Sequence, residues 1–203
     1  MNHPEKEAFL AYQKSANHEL PAFLESMDYP RYEAAAQMIL DCSRRGGRLH
    51  ITGIGKPAHV AAYAASLFSS TGIPTYFLHG TEAVHGSCGQ LIAGDIVICI
   101  SNSGETSELL TTVAAIKRNG CHIIGITGKG SSTLAKESDL WLFAGVGEEG
   151  GPLNRAPRNS VVAEILCLAT LSSMLQAAVG LTPQQYVLRH PGGALGVLRS
   201  NEK

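Results

Sequence analysis

Asp95–Glu108 reads DIVICISNSGETSE, and the order of residue types in it decides the fold. Ile96–Ile100 is an unbroken apolar run with no period-two alternation, as expected of an extended segment covered on both faces. A run this short, bounded by turn residues, predicts a buried strand rather than a helix. Hydroxyls and a glycine follow at once, and a helical pattern begins after them.

The same unit recurs on either side. RLHITGIG (Arg48–Gly55), PTYFLHG (Pro74–Gly80), CHIIGITGKG (Cys121–Gly130) and DLWLFAGV (Asp139–Val146) are short apolar runs that each end in a loop. Helical patterns lie between them at 57–70, 106–119 and 132–137. Strand–helix alternation predicts an α/β fold: a three-layer, doubly wound, five-stranded parallel sheet flanked by helices, flavodoxin-like. Upstream, 5–24 and 31–45 predict two N-terminal helices, with Phe9, Tyr12, Leu20, Phe23 and Leu24 near helical spacing and Gly46-Gly47 as the stop. With no repeat, low-complexity tract or linker, 1–203 reads as one domain, helices in 1–46 and a core in 47–200.

Composition narrows the partners. A formal net charge of -1 without a Lys/Arg run argues against nucleic acid or anionic lipid. Five scattered cysteines without a C-x-x-C read as free thiols of a reducing cytosol. The start, MNHPEKEAFL, lacks the signal-peptide pattern, so the expected location is cytoplasmic. Val161–Leu181 is long enough to span a bilayer but carries Glu164 and Gln176, which favours a helix packed on both sides inside an α/β protein.

In doubly wound sheets ligands bind where the strands end. GIGKPA (Gly53–Ala58) matches G-x-G-x-x-G/A through Gly53, Gly55 and Ala58, although a tight turn into a helix begun by Pro57 explains it equally well. Lys56 stands in that turn, aimed at whatever the sheet edge binds. For SNSGETSE (Ser101–Glu108), a capping reading pairs Asn102 with Glu105 and needs one hydroxyl. The loop holds four, Ser101, Ser103, Thr106 and Ser107. Hydroxyls with backbone N–H groups at a helix start favour a neutral cradle for a phosphate monoester. A dinucleotide enzyme would leave that loop unexplained.

GIGK, SNSGETSE, HGTEAVHG (His79–Gly86), EEGGPLNRAP (Glu148–Pro157) and HPGGALG (His190–Gly196) together resemble the sugar isomerase (SIS) domain, and more narrowly the arabinose-5-phosphate isomerase family. The likeness runs from Arg48 to Leu198. It implies a stand-alone isomerase domain without the paired CBS domains of many members, acting on D-arabinose 5-phosphate and D-ribulose 5-phosphate and feeding Kdo biosynthesis. It implies that Ser101, Ser103 and Thr106, with Asn102, hold the phosphate, and that Lys56, His79, His85, Glu108, Glu149 and His190 surround the sugar. Where the family usually has serine after the lysine, this chain has Pro57, so one hydroxyl donor to the phosphate is lost.

Moving a proton between C2 and C1 through a cis-enediol needs a base, polar groups for the enediolate oxygen, and an acid/base group to open the furanose. Glu149 is the first candidate for the carbon base. His190 is the second, and also the candidate ring opener. Lys56 would stabilise enediolate or phosphate charge. His79 and His85, with Cys88 nearby, could bind a metal adventitiously, but the enediol route calls for no metal and no cofactor. In related domains the HPGGALG tail reaches a neighbouring subunit, which implies a homodimer or homotetramer with shared sites. Two rivals stay open: another phosphosugar isomerase, for a hexulose or heptulose phosphate, and a phosphosugar-sensing module.

Overall fold

In the computed structural model, which describes residues 3–202, β1 (Leu49–Gly53), β2 (Thr75–Phe77), β3 (Ile96–Ile100), β4 (His122–Thr127) and β5 (Leu140–Phe143) form one parallel sheet in the order β2-β1-β3-β4-β5. The expected five-stranded, flavodoxin-like sheet is present. Chain order reverses between β1 and β3, the place where such sheets open a crevice. Those two strands end level, with Gly53 opposite Ile100.

Each central strand feeds two cores. Ile96, Ile98 and Ile100 point to one face, against α2 (Tyr29–Arg44), α3 (Lys56–Ser70) and α6 (Asn159–Ala178). Val97 and Cys99 point to the other, against Leu109, Val113 and Ile116 of α4 (Ser107–Arg118) and Leu134 of α5 (Thr133–Glu137). Every residue of β3 is buried, which is why its sequence shows no alternation. At the far end of the sheet, the buried Asp95 carboxylate accepts the N–H groups of Arg48 at 2.7 Å and Ile92 at 2.9 Å, with His50 Nε2 at 3.1 Å. Burial holds the His50 pKa down, so a neutral imidazole donates to Asp95 and ties β1 to the turn before β3.

α1 (Pro4–Glu25) departs from the expected apolar face. Phe23 is buried, whereas Phe9 and Leu24 are 65% and 46% exposed. Most of the N-terminal half of the helix is exposed in the described chain, so spacing alone does not report its burial. α6 is long and apolar enough to cross a membrane by length and composition. It packs against α1, α2 and α3, and none of its residues from 159 to 172 is exposed, as expected of a helix covered on both sides. α7 (Pro183–Arg189) follows, started by a complete capping box between Thr182 and Gln185.

Candidate active site

At the C-terminal ends of the strands, backbone approaches backbone closely at glycines, with the Ile54, Phe143 and Asn102 side chains packed against the same positions. A Cβ on Gly80 would stand 2.7 Å from Gly53 O, and one on Gly145 would stand 2.7 Å from Gly128 Cα. Gly104 turns the loop after β3 with φ +66, and a Cβ there would strike Ser132 Oγ and stand 2.9 Å from Thr127 Oγ1. Gly104→Ala therefore strains the backbone and displaces the loop. A loss of about 1–3 kcal/mol is expected, read as a lowered melting temperature.

SNSGETSE is organised around Ser101. Its buried Oγ accepts the Gly104 N–H at 3.1 Å and lies 3.1 Å from Thr106 Oγ1. Ser103 Oγ accepts the Glu105 N–H at 3.2 Å. Thr106 is the N-cap residue of α4, yet its hydroxyl turns to Ser101 and no side chain caps the helix. The Asn102–Glu105 box therefore does not form. Asn102 offers its carbonyl to Gly128 N–H at 3.0 Å, and Glu105 Oε1 accepts Thr133 N–H at 2.8 Å, which holds the Glu105 pKa down. What remains is an exposed helix start bordered by hydroxyls, with the positive end of the peptide dipoles facing out. Glu108, in the first turn, is kept below the usual carboxylate range by its own N–H and the Ser107 hydroxyl, and stays anionic.

Two histidines are held in opposite tautomers. The Glu82 N–H donates to His79 Nδ1 at 3.3 Å, so the neutral ring carries its proton on Nε2. His190 Nδ1 lies 2.9 Å from the Tyr186 carbonyl and must donate to it, which leaves Nε2 with a lone pair. His190 also stacks on Tyr186, ring centroids 4.1 Å apart. His85 is exposed at the end of the short 3-10 turn Glu82–His85. Among the described residues no three His, Cys, Asp or Glu side chains converge as a metal-ligand set.

Glu149 caps α6. Its Oε2 accepts the N–H groups of Arg158 at 2.6 Å and Ser160 at 3.1 Å, leaving Oε1 free. α3 and α6 start at the same end of the sheet and are tied near their other ends by Thr71 Oγ1 and Ser172 Oγ at 2.9 Å. Fifteen residues back from that bond along each chain stand Lys56 and Pro157, so the Lys56 and Glu149 segments share one end of the helix pair. Lys56 is exposed at the first position of α3.

Ser101, Asn102, Ser103, Thr106, Glu108, Lys56, His79 and Glu149, with Gly53 and Gly55, therefore all belong to the strand-end face. His190 does not. α6 is 20 residues long and carries the chain about 30 Å away. Beyond it, side-chain atoms of Val179, Leu181 and Arg189 lie 3.0, 3.7 and 3.6 Å from a Cβ position on Gly72, in the turn before β2 begins. Glu164, which in the sequence speaks only against a membrane span, emerges as a buried acid one turn below Ser160. A lone glutamate inside an apolar helical stretch was the signal for it.

The SIS domain family model matches residues 43–174. Arabinose 5-phosphate isomerase KdsD of Pseudomonas aeruginosa is 41% identical over 150 residues, 74% of this chain and 46% of that protein. KdsD of Escherichia coli K12 is 40% identical over 159 residues, 77% of this chain and 48% of that protein. The chain thus spans about half the length of the curated relatives it matches. A solved structure of Escherichia coli CFT073 c3406 in complex with arabinose 5-phosphate superposes with a TM-score of 0.84 at 31% identity, covering 94% of this chain and 100% of that one. Sheet order, the hydroxyl loop after β3 and a family match across the whole strand-bearing core agree: the chain belongs to the SIS domain family.

Proposed function

We propose that this protein is an aldose–ketose isomerase that interconverts D-arabinose 5-phosphate and D-ribulose 5-phosphate through a cis-enediol. The observation that carries the reading is the uncapped, hydroxyl-bordered start of α4, in a chain that matches a relative solved with arabinose 5-phosphate over that relative's whole length. Ser101, Ser103 and Thr106 hydroxyls, Asn102 and the first N–H groups of α4 bind the phosphate. Pro57 supplies no hydroxyl to it, so the β3–α4 loop bears more of that contact.

The chemistry divides among the remaining groups. Glu149 Oε1 takes the proton from C2 of the aldose and returns it to C1, while Oε2 stays fixed by α6. His79 Nε2–H donates a hydrogen bond to O1, on which negative charge develops, and Lys56 adds a positive charge there. The O2 hydroxyl proton passes to O1 within the cis-enediol. His85 and Glu108 orient the sugar hydroxyls. His190 Nε2 takes the anomeric hydroxyl proton as the C1–O4 bond breaks and delivers it to O4, which opens the furanose; the ketose, with O5 phosphorylated, cannot close through O5.

Because His190 lies past the far end of α6, it serves the site of a second copy, and the enzyme works as a homodimer or homotetramer. α1 supports this. Among its residues only Ser15 and Phe23 are buried in the described chain, and one buried aromatic contributes about 1.5–3 kcal/mol. Ordering its 22 residues costs about 1 kcal/mol or more apiece, so the projecting half gains from a partner surface. The five free cysteines, four of them buried, fit a cytosolic setting, where the product would feed Kdo biosynthesis. No cofactor is needed.

Incubation with a panel of aldose and ketose phosphates in heavy water, followed by NMR, tests the reading. The two pentose phosphates should interconvert with deuterium entering the exchanged carbon. Turnover of a hexulose or heptulose phosphate alone, or binding without turnover, would replace the reading. Ser103→Ala should raise KM more than it lowers kcat, because a phosphate contact is made in ground and transition states alike.

A further inference from the structure

The first turns of α6 hold a group that the mechanism above does not use. Glu164 is 1% exposed, and neither of its carboxyl oxygens has a hydrogen-bond partner among the described residues. Four residues before it on the same helix face is Ser160, whose N–H donates to Glu149 Oε2 and whose own buried Oγ is also unpartnered. Glu149 thus sits at the head of α6 with Glu164 enclosed one turn beneath.

We propose that Glu164 is a positioning residue for Glu149, a buried carboxylic acid whose uncharged state leaves the Glu149 anion as the single negative charge at the head of α6. The inference rests on the reading of Glu149 as the base.

The surroundings provide no counter-charge. From α2, Tyr32 is buried and its hydroxyl pKa is raised; on α6, burial pushes the Cys167 thiol up to about 12. From α3, Lys56, His59 and Tyr63 are exposed. From α1, Ser15 is buried, while the Glu19 carboxylate is taken by Gly147 N–H at 2.6 Å. Arg158, at the helix start, is exposed and turns toward the Ala156 carbonyl at 3.5 Å. An unpaired anion in such a place is costly. Burial, then the charge of Glu149, lifts the Glu164 pKa to about 8. Glu149, by contrast, faces two N–H donors at the start of α6, from Arg158 and Ser160.

The two acids form a coupled pair that carries one charge at neutral pH. When Glu164 ionises, the second charge either loosens the cap or drives a proton onto Glu149, and both remove the base. A glutamate base acting alone would give activity that rises with pH and then stays level. With Glu164 beneath it, activity falls again as pH passes about 8.

Two measurements test this. The first is the pH dependence of kcat for the pentose phosphates in the wild type and Glu164→Gln. Wild-type kcat should fall about tenfold per pH unit above its alkaline midpoint, whereas Glu164→Gln, a neutral isostere, should remain level. The second is a pH titration of substrate-free protein carrying 13C at the glutamate carboxyl, followed by NMR. One glutamate should titrate with a midpoint near pH 8. In Glu149→Gln that midpoint should fall by about one pH unit, the scale on which neighbouring acids couple.

An alkaline fall that survives in Glu164→Gln, or a spectrum in which every glutamate titrates in the ordinary range, overturns the proposal. The titration needs no turnover. It therefore still decides the matter if Glu164→Gln does not fold. A protein that fails to isomerise pentose phosphates would sink the functional reading while leaving the paired titration to stand or fall separately.

Discussion

Glu149→Gln is expected to cut kcat by about 10²–10⁴-fold, the range for loss of a positioned acid/base group. The fold should be unaffected. Glutamine keeps a carbonyl oxygen where Glu149 Oε2 accepts the Arg158 and Ser160 N–H groups, so the start of α6 remains capped. What disappears is basicity at the other oxygen. KM should move little, since the proposed phosphate cradle is the loop after β3 and does not include this residue. Steady-state kinetics with a thermal melt as control separate the two effects. A variant with near-normal kcat would transfer the carbon base to His190. A variant with both kcat and melting temperature reduced would mean that the cap, rather than the base, had been lost.

His190→Ala and Glu149→Gln should each be inactive alone and recover activity when unfolded together and refolded as a mixture. The strand-end pocket takes Glu149 from its own chain, while His190 lies about 30 Å down α6. Under the proposed sharing of sites between copies, a complete site needs a chain with intact Glu149 facing a copy with intact His190. Random assembly of equal amounts meets both conditions in roughly a quarter of sites. The measurement is specific activity against mixing ratio, with subunit exchange verified by mass. A mixture that exchanges subunits and stays inactive would place both residues in a site formed by one chain.

Much of this was legible in the sequence, for identifiable reasons. The uninterrupted run Ile96–Ile100 encodes a strand with two covered faces, and β3 is buried at every position. Residues 57–70 and 106–119 read as helices from punctuation, Pro57 at one start and hydroxyls at the other, and α3 and α4 begin within a residue of those positions. The rival Asn102–Glu105 box does not form because Glu105 has a competing donor, Thr133 N–H, supplied by a neighbouring loop that spacing along one strand–helix unit cannot reveal. Phe9 and Leu24 keep helical spacing yet stay exposed, because periodicity reports which face of a helix is apolar, not what lies opposite. Glu164 was visible as an oddity. Its meaning required knowing that Glu149, fifteen residues earlier, folds back onto the same helix end.

The backbone contacts among Gly53, Gly80, Gly128 and Gly145 have a thermodynamic consequence for any ligand that lands on them. A glycine has no rotamers of its own to freeze. Immobilising one flexible side chain on binding costs about 0.5–1.5 kcal/mol. A phosphorylated sugar is small and strongly hydrated, with little apolar surface to offset several such losses. In the proposed site the four glycine positions add no such loss, which falls instead on the side chains around them. The entropy given up on binding then belongs mainly to the ligand and to the exposed side chains at the rim, Lys56 and His79. With fewer side chains to order, more of the contact energy with a small polar ligand remains as affinity.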